Sequence, residues 1–326
     1  MLTTRLTEML GIDHPVILAP MGSATSAAFC AAASNAGGLG SIGTLNRTVD
    51  AVLRDLGAIR SLTSRPFAVN HISPFLMEEA FRATLDLRPA VISFALGDPG
   101  ELVKRVHDAG CLAQAQVTTV EQAIQAAERG VDIIVAQGGE AGGYGGTVSA
   151  LALIPQVVDA VSPLPVVAAG GIFDGRGLAA ALMLGAVGVN LGTRFLASRE
   201  APIDDGWRQA IVGARSEDTV KADALNAIYP KPGTVGYGTV LRALRTEFLD
   251  HWNADLEAAA RNRESLHAEL TAAARAGRRY EMIAGAGQSA GGIKDVPSVE
   301  EIIRRTVADA QRVLTEVPAA VLEGQL

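Results

Sequence analysis

Residues 131–146, VDIIVAQGGEAGGYGG, join a run of apolar residues to a loop rich in glycine. Five of the first six residues are apolar and most are β-branched, which is typical of a strand buried on both faces of a parallel sheet. Gln137 then begins a segment with five glycines in nine residues. Because glycine has no Cβ, such a loop allows a flat ligand to lie against the backbone. A buried strand that opens into this kind of loop predicts a ligand site of an α/β enzyme.

Short apolar strands alternate with helical segments on both sides of this stretch, which predicts successive βα units. Eight such units close most naturally into a (β/α)8 TIM barrel, and a doubly wound open sheet is the alternative. We predict strands at 16–19, 38–42, 67–70, 91–94, 112–116, 133–136, 166–169 and 187–191. We predict helices at 27–35, 49–61, 99–109, 120–129, 149–161 and 175–184.

The pattern changes after the eighth strand, where the chain becomes charged and helical. We therefore predict a small helical insertion or cap domain at 201–280, and a barrel made of residues 1–200 plus 281–326. A last amphipathic helix at 299–313 would complete the outer ring. The sequence leaves three roles open for the insertion: it could cover the barrel mouth, form a homodimer or extend the fold.

Charge and composition exclude several classes of partner. The net charge is −7, no basic run is present, and aromatic residues make up only 4% of the chain, so neither nucleic acid nor an anionic membrane surface is an expected partner. The uncharged stretch 177–193 is short for a membrane span and is interrupted by glycines. Cys30 and Cys111 lie in apolar surroundings without metal-ligand spacing, as in a reduced cytoplasmic protein.

The carboxyl ends of barrel strands converge on one face, so the residues that follow each strand become neighbours. Gly170-Gly171 follows the seventh strand and Gly192-Thr193 follows the eighth, where barrels commonly bind phosphate through backbone N–H groups. Other strand ends carry amides, which can bond the polar edge of a heteroaromatic ring, and no carboxylate pair or set of metal ligands. This is the composition of a cofactor pocket. The residues concerned are Asn70, Gln116, Gln137, Gly170, Gly171, Gly192 and Thr193.

Seven segments together resemble the nitronate monooxygenase family, formerly called 2-nitropropane dioxygenases. The resemblance runs from about residue 11 to 200 and resumes near 284 to 303. It implies an FMN-dependent (β/α)8 barrel with a small helical domain, on a scaffold shared with flavin reductases of enoyl thioesters and quinones. The segments are APMGSATSAAFCAAASNAGGLGSIG, PFAVN, QVTTVEQA, IIVAQGGEAGGYGG, PVVAAGGI, GAVGVNLGTRFLAS and AGAGQSAGGI.

The resemblance also implies roles for single residues. Gly170, Gly171, Gly192 and Thr193 would hold the FMN phosphate. Met21 and Gly22 would lie beside the isoalloxazine ring, with Asn70, Gln116 and Gln137 on its polar edge. Gln288 and Ser289 match a loop that returns to the flavin.

One position departs from the family pattern, which usually ends in EAGGH, because this chain has Tyr144 in place of the histidine. An ordinary tyrosine has a pKa of about 10, so it can donate a hydrogen bond or a proton but is a poor general base. His71, next to Asn70, could supply an imidazole or could pack outside the barrel. Glu140 is expected to anchor the loop.

Three functions fit these residues. The first is an FMN-dependent monooxygenase that oxidises small alkyl nitronates with O2 to a carbonyl compound and nitrite, with Tyr144 and His71 as the candidate catalytic residues. The second is an NAD(P)H-dependent FMN reductase of a quinone or an enoyl thioester, in which Tyr144 could act as an acid. The third is a flavin-binding protein without catalysis.

Overall fold

The computed structural model describes residues 2–229 and 239–322. Within them, eight parallel strands form one sheet whose two edge strands meet through a parallel bridge between Ile17 and Leu39. This closure confirms the predicted (β/α)8 barrel. The barrel strands are β1 (Val16–Leu18), β2 (Gly40–Gly43), β3 (Phe67–Ile72), β4 (Val91–Ala95), β5 (Leu112–Val117), β6 (Ile133–Gln137), β8 (Val166–Ala169) and β9 (Gly188–Leu191). A short strand outside the barrel, β7 (Gly143–Gly145), lies in the loop after β6.

Several of the helices around the barrel begin or end at residues with clear capping roles. The side chains of Ser26, Thr48 and Thr119 each accept a hydrogen bond from a backbone N–H of the first turn. Gly110 and Gly130 take left-handed φ values of 77° and 84° just beyond two helix ends. The helices around the strands are α2 (Ala27–Asn35), α3 (Val49–Leu62), α4 (Glu78–Leu87), α5 (Leu102–Asp108), α6 (Val120–Glu128), α7 (Ala150–Val161) and α8 (Gly175–Met183), and α1 (Arg5–Leu10) precedes the first strand.

The segment after β9 is helical, as predicted, but it also contains two strands that the sequence did not indicate. These strands pair antiparallel with each other, and the second of them also pairs antiparallel with β7 of the glycine-rich loop, so a three-stranded sheet ties the insertion to that loop. The sequence did not indicate these two strands because each is short. It also did not indicate their partner β7, because β7 consists of two glycines around one tyrosine and glycine has a low strand propensity. The elements are α9 (Thr193–Leu196), α10 (Asp205–Gly213), β10 (Thr219–Lys221), α11 (Asp223–Ile228), β11 (Val240–Leu244), α12 (Glu247–Asn253), α13 (Leu256–Arg261), α14 (Arg263–Arg275) and the last helix, α15 (Val299–Leu322).

The barrel is closed at its amino-terminal end by α1. Leu6, Leu10 and Ile12 are buried there against the lower interior residues, such as Ile17 and Val167. A second core fills the space between the strands and the outer helices. Any ligand cavity inside the barrel therefore opens toward the carboxyl ends of the strands. The division of the chain at residues 200 and 281 remains a prediction.

No helix among residues 2–229 and 239–322 has the length and apolar character that crossing a bilayer requires.

Candidate active site

A cavity of about 690 Å³ lies at the carboxyl ends of the barrel strands and extends under the insertion. This volume is within the range of small-molecule and cofactor sites, about 300 to 1,000 Å³. Most of the residues that the sequence marked line it. They are Met21, Gly22, Asn70, Gln116, Gln137, Tyr144, Gly170, Gly171, Gly192, Thr193 and Ser289.

His71 lies outside this cavity, and the prediction that it supplies an imidazole there is corrected. Alternate residues of a strand face opposite sides, and it is Asn70 of β3 that faces inward. The His71 ring is buried against α4, with Nε2 3.0 Å from the Thr84 hydroxyl and its centroid 5.1 Å from that of Phe81. Burial lowers the pKa of His71 to about 4, so this ring is neutral at pH 7 and packs as part of the outer core.

Neutral amides line the inner wall of the cavity. Gln116 Nε2 donates to Gln137 Oε1 at 2.7 Å, and Asn70 Nδ2 donates to the Ser93 hydroxyl at 3.0 Å. The first bond fixes the orientation of both glutamine amides. Since Gln137 Oε1 accepts in this pair, its Nε2 group is the donor that this side chain can offer to a bound molecule.

Asn190 of β9 is a cavity residue that the sequence analysis did not select. It is 6% exposed, lines the cavity, and its Oδ1 atom has no hydrogen-bond partner among the described residues. A buried acceptor without a partner is costly, so a donor from a ligand would satisfy it. Its place at the end of the eighth barrel strand, two residues before Gly192, is the signal that could have identified it.

Glycine turns at two neighbouring strand ends border the same region. Gly170 and Gly171 follow β8 with left-handed φ values of 97° and 74°, and Gly192 precedes the short helix α9 after β9. A Cβ on Gly192 would lie 3.5 Å from the Met21 sulfur, on the surface of the cavity. Thr193 Oγ1 accepts a hydrogen bond of 2.9 Å from the Gly287 N–H. These turns expose backbone where a flat phosphorylated cofactor can approach, and the acceptor on Asn190 lies beside them.

The glycine-rich loop after β6 has a second reason for its composition. A Cβ on Gly142 would lie 2.6 Å from the Gly287 nitrogen, so the two backbones touch and neither position has room for a side chain. Gly142 is therefore required by this backbone contact, whether or not the loop also contacts a flat ligand. Gln288 does not line the cavity, and its N–H donates to the Glu140 carbonyl at 2.9 Å. The Glu140 carboxylate accepts from the Ala150 N–H at 3.0 Å, which confirms its role as a loop anchor.

Tyr144 is held in the cavity wall by the three-stranded sheet. β7 pairs with β11, with Leu241 opposite Tyr144, and Lys221 Nζ of β10 donates to the carbonyls of Gly145 and Gly146 at 3.2 and 2.9 Å. The sheet therefore fixes the backbone position of Tyr144.

The chemistry available to Tyr144 is that of a donor. Burial raises the pKa of Tyr144 to about 12, although the nearby positive charge of Arg279 acts in the opposite direction. Its hydroxyl is therefore protonated at neutral pH. It can donate a hydrogen bond or a proton, but it does not serve as a base.

The insertion, together with Ile283 just after it, supplies the outer wall of the cavity, which agrees with one of the three roles that the sequence left open, covering the barrel mouth. This wall combines aliphatic and aromatic surface with one guanidinium group and one exposed carboxylate, Asp204, and the indole N–H of Trp207 has no partner among the described residues. Its residues are Pro202, Ile203, Asp204, Trp207, Leu241, Arg279, Tyr280 and Ile283.

A TIM barrel with neutral amides and glycine turns at the strand ends, where hydrolases carry carboxylate pairs or metal ligands, has the architecture of a cofactor-dependent oxidoreductase. The sequence pattern of the nitronate monooxygenase family matches residues 3–80 and 76–309. The chain belongs to this family of flavin oxidoreductases, which confirms the resemblance seen in its sequence.

Individual relatives carry different names. The chain is 37% identical over 253 residues to the (3aS,4S,5R,7aS)-5-hydroxy-7a-methyl-1-oxo-octahydro-1H-indene-4-carboxyl-CoA dehydrogenase of Mycobacterium tuberculosis, a match covering 76% of this chain and 68% of the relative. It is 34% identical to a probable nitronate monooxygenase of Staphylococcus aureus, over 68% of this chain and 76% of the relative. The solved structure of FabK from Thermotoga maritima superimposes with a TM-score of 0.87 at 31% identity and full coverage of both chains. Membership in the family therefore leaves the substrate open.

Proposed function

We propose that this chain is an FMN-dependent oxidoreductase that oxidises small alkyl nitronates with O2 to a carbonyl compound and nitrite. The observation that carries the proposal is the chemistry of the cavity, which combines a tyrosine donor and an arginine with no buried base. Asp204 is the one carboxylate among the described lining residues, and it is exposed. The five histidines of the chain do not line the cavity as the described residues define it.

A substrate suited to this cavity must already be deprotonated. A neutral nitroalkane has to lose a proton from carbon, which requires a base near neutral pKa. A nitronate has lost that proton and carries negative charge on its oxygens. Tyr144, with a pKa of about 12, can donate to such an oxygen, and the charge of Arg279 favours an anion nearby.

The residues of the inner wall fit FMN. Gly170, Gly171, Gly192 and Thr193 would hold its phosphate, and the acceptor on Asn190 would take a donor from the ring system. Gln137 and Asn70 would contact the polar edge of the ring. When bound, the flavin supplies the two-electron redox chemistry, while the protein orients the substrate and protects the site from water.

A second candidate is the NAD(P)H-dependent reduction of a quinone or an enoyl thioester. The apolar outer wall around Trp207, Leu241 and Ile283 favours it, because a substrate larger than a small nitronate could bury an apolar body there. The Mycobacterium tuberculosis relative is named as a dehydrogenase of a carboxyl-CoA compound. In this reaction Tyr144 would donate a proton.

Anaerobic absorption spectra of the purified protein separate these functions. We expect an oxidised flavin spectrum that is bleached by propyl-2-nitronate and unchanged by NADH or NADPH. Bleaching by a nicotinamide nucleotide alone would replace the first proposal by the second. Retention of flavin without bleaching by any of the three reagents would favour a binding protein without catalysis, and failure to bind added FMN would overturn the cofactor. A homodimer and a cytoplasmic location remain predictions from the sequence.

A further inference from the structure

Arg279 is carried to the cavity by a defined turn at the end of α14. Gly277 takes a left-handed φ of 68°, the Arg278 N–H donates to the Ala273 carbonyl at 2.9 Å, and the Gly277 N–H donates to the Ala274 carbonyl at 3.2 Å. These two bonds form a Schellman motif, which reverses the chain after a helix. A 3₁₀ turn, Arg279–Glu281, follows at once. The local sequence therefore fixes the direction in which the chain leaves α14.

The same turn is held from below by α10. A Cβ on Gly206 would lie 2.2 Å from the Tyr280 ring, so this ring lies directly on the backbone of α10. The next residue of α10, Trp207, lines the cavity together with Arg279 and Tyr280. The guanidinium group thus belongs to a largely apolar wall whose other charged group is the exposed Asp204 carboxylate, and packing of Tyr280 on α10 fixes the turn that carries Arg279.

Two neighbouring arginines of this turn have different surroundings. Arg278 is exposed and pairs with Glu281 at 3.1 Å. Arg279 is half-buried and has no ion-pair partner among residues 2–229 and 239–322, and Asp204 of the same cavity lies beyond ion-pair distance. Its charge acts on the hydroxyls of Tyr144 and Tyr229, for both of which it opposes the rise in pKa that burial causes.

A partly buried cation that forms no ion pair is stabilised when an anion enters the cavity and bonds to it directly. The apolar surface beside it would bury the uncharged part of the same molecule. We propose that Arg279 is a specificity-determining residue that selects substrates carrying an anionic oxygen group, such as a nitronate or a carboxylate, joined to a small apolar chain. This inference rests on the proposed function for the identity of the site, but it concerns binding and requires no turnover.

The test measures the binding of two probes of similar size, hexanoate and hexanamide, to the purified flavin-loaded protein. Quenching of tryptophan fluorescence reports occupancy, because Trp207 lines the cavity. Ionic strength is held constant, since salt screens exposed charges. The variants are Arg279→Gln, Arg279→Lys and the matched control Arg278→Gln, which removes an arginine from the adjacent position.

We expect the wild type to bind hexanoate about tenfold more tightly than hexanamide, the ratio that one charge-assisted hydrogen bond supplies. Arg279→Gln should abolish this preference, Arg279→Lys should keep part of it, and Arg278→Gln should keep all of it. Equal affinities in the wild type, or a preference that survives in Arg279→Gln, would overturn the inference. If Arg279→Gln does not fold, Arg279→Lys still tests the inference. An unchanged ratio of hexanoate to hexanamide affinity in Arg279→Lys, together with loss of this ratio in Arg278→Gln, would assign the preference to Arg278 and overturn the inference.

Failure of the proposed oxidation would give a different result. The preference for hexanoate would persist, while propyl-2-nitronate would leave the flavin spectrum unchanged.

Discussion

The inner and outer walls of the cavity differ in origin and in chemistry. The inner wall is made by strand ends of the barrel and presents neutral amides such as Asn70, Gln137 and Asn190. The outer wall is made by the insertion and presents Trp207 and Arg279. Neutral amides suit a cofactor with a fixed pattern of donors and acceptors, whereas apolar surface around one charge suits a substrate. Under the proposed function, the comparison would separate cofactor recognition from substrate recognition between two parts of the fold, with Tyr144 on the loop that the three-stranded sheet joins to the insertion.

The largest effect should come from filling the inner wall. Gly192→Leu would extend atoms from a Cβ that already lies 3.5 Å from the Met21 sulfur, so the side chain would occupy the proposed phosphate region. We expect the flavin content of the purified protein, measured by its absorbance, to fall at least about tenfold. Gly57→Leu is the control, because nothing lies within 4 Å of a Cβ at this exposed helical position. Full flavin content in Gly192→Leu would place the cofactor elsewhere.

The next effect concerns the residue between the two walls. Tyr144→Phe removes one donor from the cavity, and we expect kcat/KM with propyl-2-nitronate to fall about 10²-fold, as for loss of a donor in the transition state. Since the pKa of Tyr144 is about 12, the wild-type rate should show no loss from ionisation of this group below about pH 10. An unchanged rate in Tyr144→Phe would remove the catalytic role.

A smaller effect should follow from the acceptor that the sequence missed. Asn190→Ala removes the buried Oδ1 atom, and we expect the dissociation constant of FMN to rise about tenfold, the value of one hydrogen bond. Ser198→Ala is matched to it, because the Ser198 hydroxyl is also buried without a described partner but does not line the cavity. Isothermal titration of the apoprotein with FMN would measure both. Equal losses in the two variants would mean that the Asn190 effect is structural.

The smallest effect on catalysis should come from His71, the outward neighbour of Asn70. His71→Leu should leave kcat/KM within about twofold, because the ring lies outside the cavity. The substitution should instead change how the free energy of unfolding depends on pH. The folded ring has a pKa of about 4 and the unfolded one about 6.5, so the unfolded state binds more protons between these values and stability falls as pH is lowered through this window.

Urea unfolding between pH 4 and 7 measures this dependence. His71→Leu should flatten it, and His251→Leu, at an exposed helical histidine, should leave it in place. A large loss of activity in folded His71→Leu would restore the catalytic role that the structure does not support.

Much of the inner wall could be predicted from the sequence. Asn70, Gln116 and Gln137 follow apolar strands, and residues at the carboxyl ends of parallel strands meet at one face of a barrel. The same rule could not decide between Asn70 and His71, because alternation separates two faces without saying which one is interior. Only the closed barrel assigns them: Asn70 pairs with Ser93 inside and His71 with Phe94 outside.

The sequence by itself determined the (β/α)8 barrel, the glycine turns and the amides at the strand ends. These features depend on the periodicity and composition of a few neighbouring residues, and they do not require contacts with distant parts of the chain. The tertiary structure alone decided that the Gly142 and Gly287 backbones touch, that β7 joins a sheet with the insertion, and that Arg279 and Tyr144 line the same cavity. These contacts join segments far apart in the chain, and their geometry depends on how the insertion packs on the barrel, which no local pattern specifies.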